Sequence, residues 1–131
     1  MKGIYCLIIE LSRNCKIQAG RLGLLELSKG KYIYVGSAMN NLEKRVARHL
    51  ARKKKKFWHI DYLLANKYAG VLKVYYKETG KIEECKVANK LERIGVPIYG
   101  FGCSDCNCKA HLFKIENLGN ILKLYSVKFI R

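Results

Sequence analysis

The chain has 131 residues, 50% of them hydrophobic, enough for the core of one domain and too apolar for a disordered segment. Its 26 Lys and Arg stand against 10 Asp and Glu, a formal charge of +16, so a polyanion, nucleic acid first, is the expected partner. The longest wholly apolar run, residues 4–9, spans about six residues against the roughly 20 a membrane helix needs, so no membrane association is expected.

Residues 4–11 (IYCLIIEL) form a β-rich, mostly apolar run of the kind required by a strand covered on both faces. Before it stands one lysine, with neither the long apolar region nor the small-residue cleavage site of a signal peptide. A cytoplasmic location is therefore expected, where six cysteines serve as thiols or metal ligands rather than as a disulfide framework. Short β-prone runs follow at 15–19, 22–27 and 32–37, divided by Gly20, Gly23 and the Lys29-Gly30 turn, and they predict an antiparallel meander.

Asn40, with Glu43 three residues on, predicts a capping box that opens a helix through about Arg52. Leu42, Val46 and Leu50 make its apolar stripe, while Arg45, Arg48, His49 and Arg52 recur at i, i+3, i+4 and i+7 as a second, cationic one. Lys53, Lys54, Lys55 and Lys56 come next, followed by a helix predicted over 57–65 and a strand over 71–76. A third helix is predicted over 81–94. Its apolar residues Val87, Leu91 and Ile94 place Glu84 on the core side and Glu83, Lys86, Lys90 and Arg93 outside. Beyond Pro97 lie a glycine- and cysteine-rich loop, a strand over 111–115 and a C-terminal element. No repeat or linker divides the chain, so residues 1–131 read as one domain.

Two tripeptides carry the chemistry: Gly3-Ile4-Tyr5 and Tyr34-Val35-Gly36, each placing a tyrosine on an apolar strand. Phenols facing one another can orient an attacking water or relay its proton, and arginines one helix later can hold a phosphate. With nine tyrosines in the chain, ordinary sheet packing accounts for either tripeptide alone. The ordered set Gly3-Ile4-Tyr5, Tyr34-Val35-Gly36-Ser37-Ala38, Glu43-Lys44-Arg45 and Arg48-His49-Leu50 resembles the GIY-YIG nuclease superfamily. Residues 14–28 insert an extra hairpin between the tripeptides. With Trp58-His59-Ile60-Asp61-Tyr62-Leu63 and residues 100–108 (GFGCSDCNC), this is similar to a branch found alone or fused to endonuclease III-type glycosylases. The resemblance extends to about Phe113. It implies an α+β fold, a small central antiparallel sheet flanked by helices, and divalent-metal-dependent cleavage of DNA.

By the same resemblance, Tyr5 and Tyr34 match the two site tyrosines, Arg45 the helix arginine and Glu84, or a neighbouring Glu, the metal carboxylate, for Mg²⁺ or Mn²⁺. Periodicity points to Glu84 independently, because a carboxylate on an apolar helix face is costly unless paired or metal-bound; the other reading is a first-turn glutamate facing the helix dipole. Only 10 carboxylates and no D-x-D or E-x-D pair fit a one-metal site. His49 is a candidate general acid or phosphate donor, or else a solvated helix histidine. Arg48, Arg52, His59 and the four lysines are candidate nucleic-acid contacts, the lysines equally a solvated loop. Cys103, Cys106, Cys108 and His111 supply enough soft donors for zinc, against a loop that packs small thiols, and Cys6 and Cys85 read as core. The expected function is a structure- or lesion-directed endonuclease of DNA repair or processing; the alternative is a non-catalytic nucleic-acid-binding module with the same fold.

Overall fold

A computed structural model describes residues 1–51, 54–103 and 108–129. The architecture is α+β: a mostly antiparallel sheet with three helices. The apolar run at the start becomes β1 (Gly3–Leu11), which lies between β4 (Gly30–Ala38) and β5 (Ala69–Glu78), antiparallel to both. Strands β6 (Val96–Pro97), β7 (Leu112–Ile115) and β8 (Ser126–Phe129) extend this centre to a six-stranded sheet of order β6-β7-β4-β1-β5-β8.

Because β1 is buried on both faces, hydrophobic alternation alone cannot set its register. Glycine does so at two points. A Cβ at Gly36, the partner of Tyr5, would run into the Tyr5 ring, and one at Gly3 would meet the backbone carbonyl of Lys77 on β5. Tyr5, Leu7, Ile9 and Leu11 pack on one face under helices α1 (Leu42–Leu50) and α2 (His59–Leu64). Ile4, Cys6 and Ile8 pack on the other under α3 (Ile82–Glu92), through Val87, Ala88 and Leu91. Each such aliphatic side chain contributes about 1.5–3 kcal/mol of burial free energy.

Several local expectations shift. In place of a meander, β2 (Cys15–Gln18) and β3 (Leu24–Leu27) pair with each other as a separate hairpin. Each buries only one face, against the core beside α2, so neither can take the doubly covered place beside β1 that β4 fills. The cap of α1 is Asn41 rather than Asn40: its side chain accepts from Lys44 N at 2.9 Å, while Glu43 pairs with the amino terminus. Ile94 lies past the end of α3 and is 43% exposed. Glu83 is turned inward, pairing with Lys77 at 3.3 Å and accepting from the Tyr125 hydroxyl. No helix among the described residues is long and apolar enough to cross a membrane.

Candidate active site

The register that pairs Tyr5 with Gly36 pairs Leu7 with Tyr34, so the two tyrosines sit diagonally on one face of adjacent strands, ring centroids 6.5 Å apart. Strand β7 pairs with residues 31–34 of β4 and goes no further. Past that point residues 36–38 form an edge, and a cleft of about 750 Å³ opens there. Tyr5, Tyr34, Ser37, Arg45, Trp58 and Glu84 line it, together with Lys81, Cys85, Gly102 and His111. Tyr5, Tyr34, Arg45 and Glu84, far apart in sequence, thus share one cavity. Although α3 packs on the opposite face of the sheet, its first turn reaches the cleft around this edge, where Ser37 Oγ donates to Glu84 Oε1 at 3.1 Å.

Arg45 enters from α1. Its Nη1 donates to Ser37 O at 3.1 Å, and its guanidinium lies 4.5 Å from the centre of the Trp58 ring, which fixes it at the cleft mouth. Trp58 is 38% exposed and forms a cleft wall, not the core residue that tryptophan usually becomes. Arg48, one turn on, stacks on the same ring at 4.4 Å but is committed elsewhere. Its two terminal nitrogens hold the fully buried Asp61 at 3.0 and 3.1 Å. Asp61 also accepts from Phe57 N and Trp58 N, and these hydrogen bonds outweigh the upward push of burial, so its pKa is lowered. Arg48 is therefore a clamp on the start of α2.

Tyr5 OH lies 2.6 Å from His49 Nε2. Which of the two groups donates across this contact depends on the imidazole tautomer. The other ring nitrogen, Nδ1, is buried and has no hydrogen-bond partner among the described residues. His49 is 2% exposed, not a solvated helix histidine, and burial, helped by Lys54, lowers its pKa to about 4. At neutral pH it is uncharged, and it is a weaker base than an ordinary histidine. Burial raises both phenols above the ordinary tyrosine value; the Arg45 charge opposes this only in part.

The remaining basic candidates divide. Lys54 Nζ donates to the carbonyls of Arg48 and His49 at 3.1 and 2.7 Å, capping the C-terminus of α1, whereas Lys55 and Lys56 are exposed next to the 69% exposed Phe57. Arg52 and Lys53 lie outside the described residues. His59 supports the loop behind the cleft: its Nδ1 accepts from Gly102 N at 2.9 Å and its ring meets Phe101 edge-on.

Of the four expected zinc donors, Cys108 and His111 come together, and the third partner is Cys85 from α3. Their ligand atoms lie within 4.8 Å of one another, a group able to hold a metal ion. Cys103 Sγ donates to Phe101 O at 3.5 Å, and Cys106 lies outside the described residues. His111 Nδ1 is also 3.5 Å from Glu84 Oε2. Sequence reasoning missed Ser37, Trp58, Lys81 and Cys85 as cleft residues. Cys85, immediately after Glu84, was the most accessible of them, since a helix that delivers Glu84 to an edge delivers its neighbour close by.

A family profile described as "Domain of unknown function DUF123" matches residues 4–129, nearly the whole length. The chain belongs to the DUF123 family. No curated protein and no solved structure matches it. The DUF123 match takes in every cleft residue named above, from Tyr5 to His111.

Proposed function

We propose that this DUF123 domain is a metal-dependent DNA endonuclease of the GIY-YIG type, acting on structured or damaged DNA. The observation that carries the reading is the convergence of Tyr5, Tyr34, Arg45 and Glu84 on one cleft in a strongly cationic chain. Arg45 offers a preorganised guanidinium for the scissile phosphate, braced by Ser37 and Trp58. Lys81, Lys55 and Lys56 supply positive charge for the flanking backbone.

Glu84 supplies a hard oxygen donor in a cleft wide enough for hydrated Mg²⁺ or Mn²⁺, ions that keep most of their waters. When bound, such an ion stabilises negative charge on the leaving oxygen. Tyr5 and Tyr34 act as neutral phenols, since burial disfavours their phenolates. The neutral Tyr5 phenol, held by its contact with His49 Nε2, orients an attacking water in line with the phosphorus. The water loses a proton to solvent as the new P–O bond forms, and the 3′ oxygen takes a proton from solvent as it departs. Tyr34 hydrogen-bonds the water or the phosphate on the other side.

The high proton affinity of both phenols also favours a second reading, a nucleic-acid-binding module that no longer cuts. Nicking of flap, branched and abasic DNA in Mg²⁺ or Mn²⁺ separates the two. The nuclease reading expects cleavage by the wild type and a loss of about 100-fold or more in Glu84→Gln and Tyr34→Phe, with DNA binding retained. Tight binding to all three substrates with no cleavage by the wild type would establish the module instead.

A further inference from the structure

The loop behind the cleft and the helix beside it are joined by donors of a different chemical class from Glu84. Cys85 comes from the first turns of α3, Cys108 from the loop that follows Gly102, and His111 from the residue just before β7. Cys85 is remote in sequence from Cys108 and His111, which lie three residues apart, yet the two sulfurs and one imidazole nitrogen gather within 4.8 Å. Around a tetrahedral zinc ion, with Zn–S near 2.3 Å and Zn–N near 2.0–2.1 Å, donors stand roughly 3.4–3.8 Å apart. The observed group closes onto such an ion with small side-chain movements.

From this we infer that Cys85, Cys108 and His111 form a zinc site, adjacent to the Glu84 position, which pins α3 to the loop preceding β7. The charge balance suits the location. His111 is 3% exposed and the cysteines are half-buried, a setting in which isolated charges are costly. Two thiolates, a neutral imidazole and a divalent ion sum to zero. Soft sulfur donors select zinc over Mg²⁺, so the two positions discriminate between metals by donor type. The three donors among the described residues supply three of the four corners of the tetrahedron. The clamp has a structural consequence at the cleft: Glu84 precedes Cys85, and His111 O accepts from Val35 N beside Tyr34, so the ion would fix acid and phenol relative to each other.

The inference stands whether or not the cleft cuts DNA, and metal content tests it directly. Protein purified under reducing conditions without a polyhistidine tag is expected to contain about one zinc per chain by elemental analysis. Exchange into Co²⁺ is expected to give thiolate-to-cobalt charge transfer in the near ultraviolet and the intense visible bands of tetrahedral cobalt. Cys85→Ser and Cys108→Ser should each lower zinc affinity at least about tenfold and weaken the charge-transfer band, while Cys103→Ser keeps both. Zinc-free wild-type protein that gives no charge-transfer band on cobalt addition would overturn the site; so would a Cys85→Ser variant that folds and binds zinc like the wild type.

Discussion

Arg45 and Arg48 stand one turn apart on α1 and rest against the same indole, 4.5 and 4.4 Å from its centre, but their surroundings give them opposite tasks. The region around Arg48 is closed: both terminal nitrogens are taken by a carboxylate with no exposed surface, which in turn caps two backbone amides. The region around Arg45 is open: one nitrogen is anchored to Ser37 O, and the group lines the cleft with Glu84 and the tyrosines. Two arginines of one cationic stripe are thus distinguished by whether an acid lies within reach. Trp58 serves both, holding one as a brace and the other as a presented cation.

Arg48→Ala puts this division to its severest test. Removing the guanidinium leaves Asp61 buried without its cation, and such orphaned charges cost about 3–5 kcal/mol. Denaturant unfolding should show a loss of that size, with DNA affinity at permissive temperature nearly unchanged. A variant as stable as the wild type would mean that Asp61 has another counter-charge. Arg45→Ala should do the reverse. Its hydrogen bond to a carbonyl that water can replace is worth about 1 kcal/mol or less to stability, but nicking should fall about 100- to 1000-fold. Arg45→Lys should recover only part of this, because an ammonium cannot present two parallel donors to phosphate.

His49, on the closed side with Arg48, carries the same division into pH. Its pKa is about 4 in the folded chain against 6.5 for an unperturbed histidine, so the unfolded state takes up the proton first. Stability from this group is complete above pH 6.5, falls as pH drops toward 4, and levels off below. The span is up to about 3 kcal/mol. Unfolding midpoints measured from pH 7.5 to about 4 should follow that slope, and His49→Gln should flatten most of it. Burial also lowers the pKa values of His59 and His111, which leaves a residual slope of the same sign. An unchanged slope in His49→Gln would assign the dependence to those two histidines.

What was legible in the sequence was local. The apolar run of β1, the cationic stripe of α1 and the periodicity of α3 were all readable, and the last put Glu84 on a covered face, where its side chain is 14% exposed. Partnerships across the sheet were not readable. Nothing in the spacing of Arg48 and Asp61 announces a bidentate pair, because the turn between α1 and α2 decides it. The hairpin at Cys15–Gln18 and Leu24–Leu27 has the composition of sheet strands, and only competition with β4 for the place beside β1 excludes it. Cys85 looked like a core thiol because its own helix is amphipathic. Its other partners come from residues 108 and 111, and a single-helix pattern carries no information about them.

The lysines divide as the arginines do, with slighter consequences. Lys54 is drawn back onto the helix, its ammonium shared by the Arg48 and His49 carbonyls, while Lys55 and Lys56 point outward beside Phe57. Lys54→Ala should cost about 1 kcal/mol of stability, from two carbonyls returned to water and the absence of a cation at a helix C-terminus. It should hardly alter the salt dependence of DNA binding. Lys55→Ala/Lys56→Ala should leave stability within about 0.5 kcal/mol and make the slope of log affinity against log salt shallower by roughly 0.9 for each duplex phosphate that is no longer neutralised. Equal salt slopes for the double variant and the wild type would place the DNA path away from this loop, toward Lys81 and the first turn of α3. On the proposed function, a cation of this chain contributes to DNA binding only where the fold has not already taken up its hydrogen bonds.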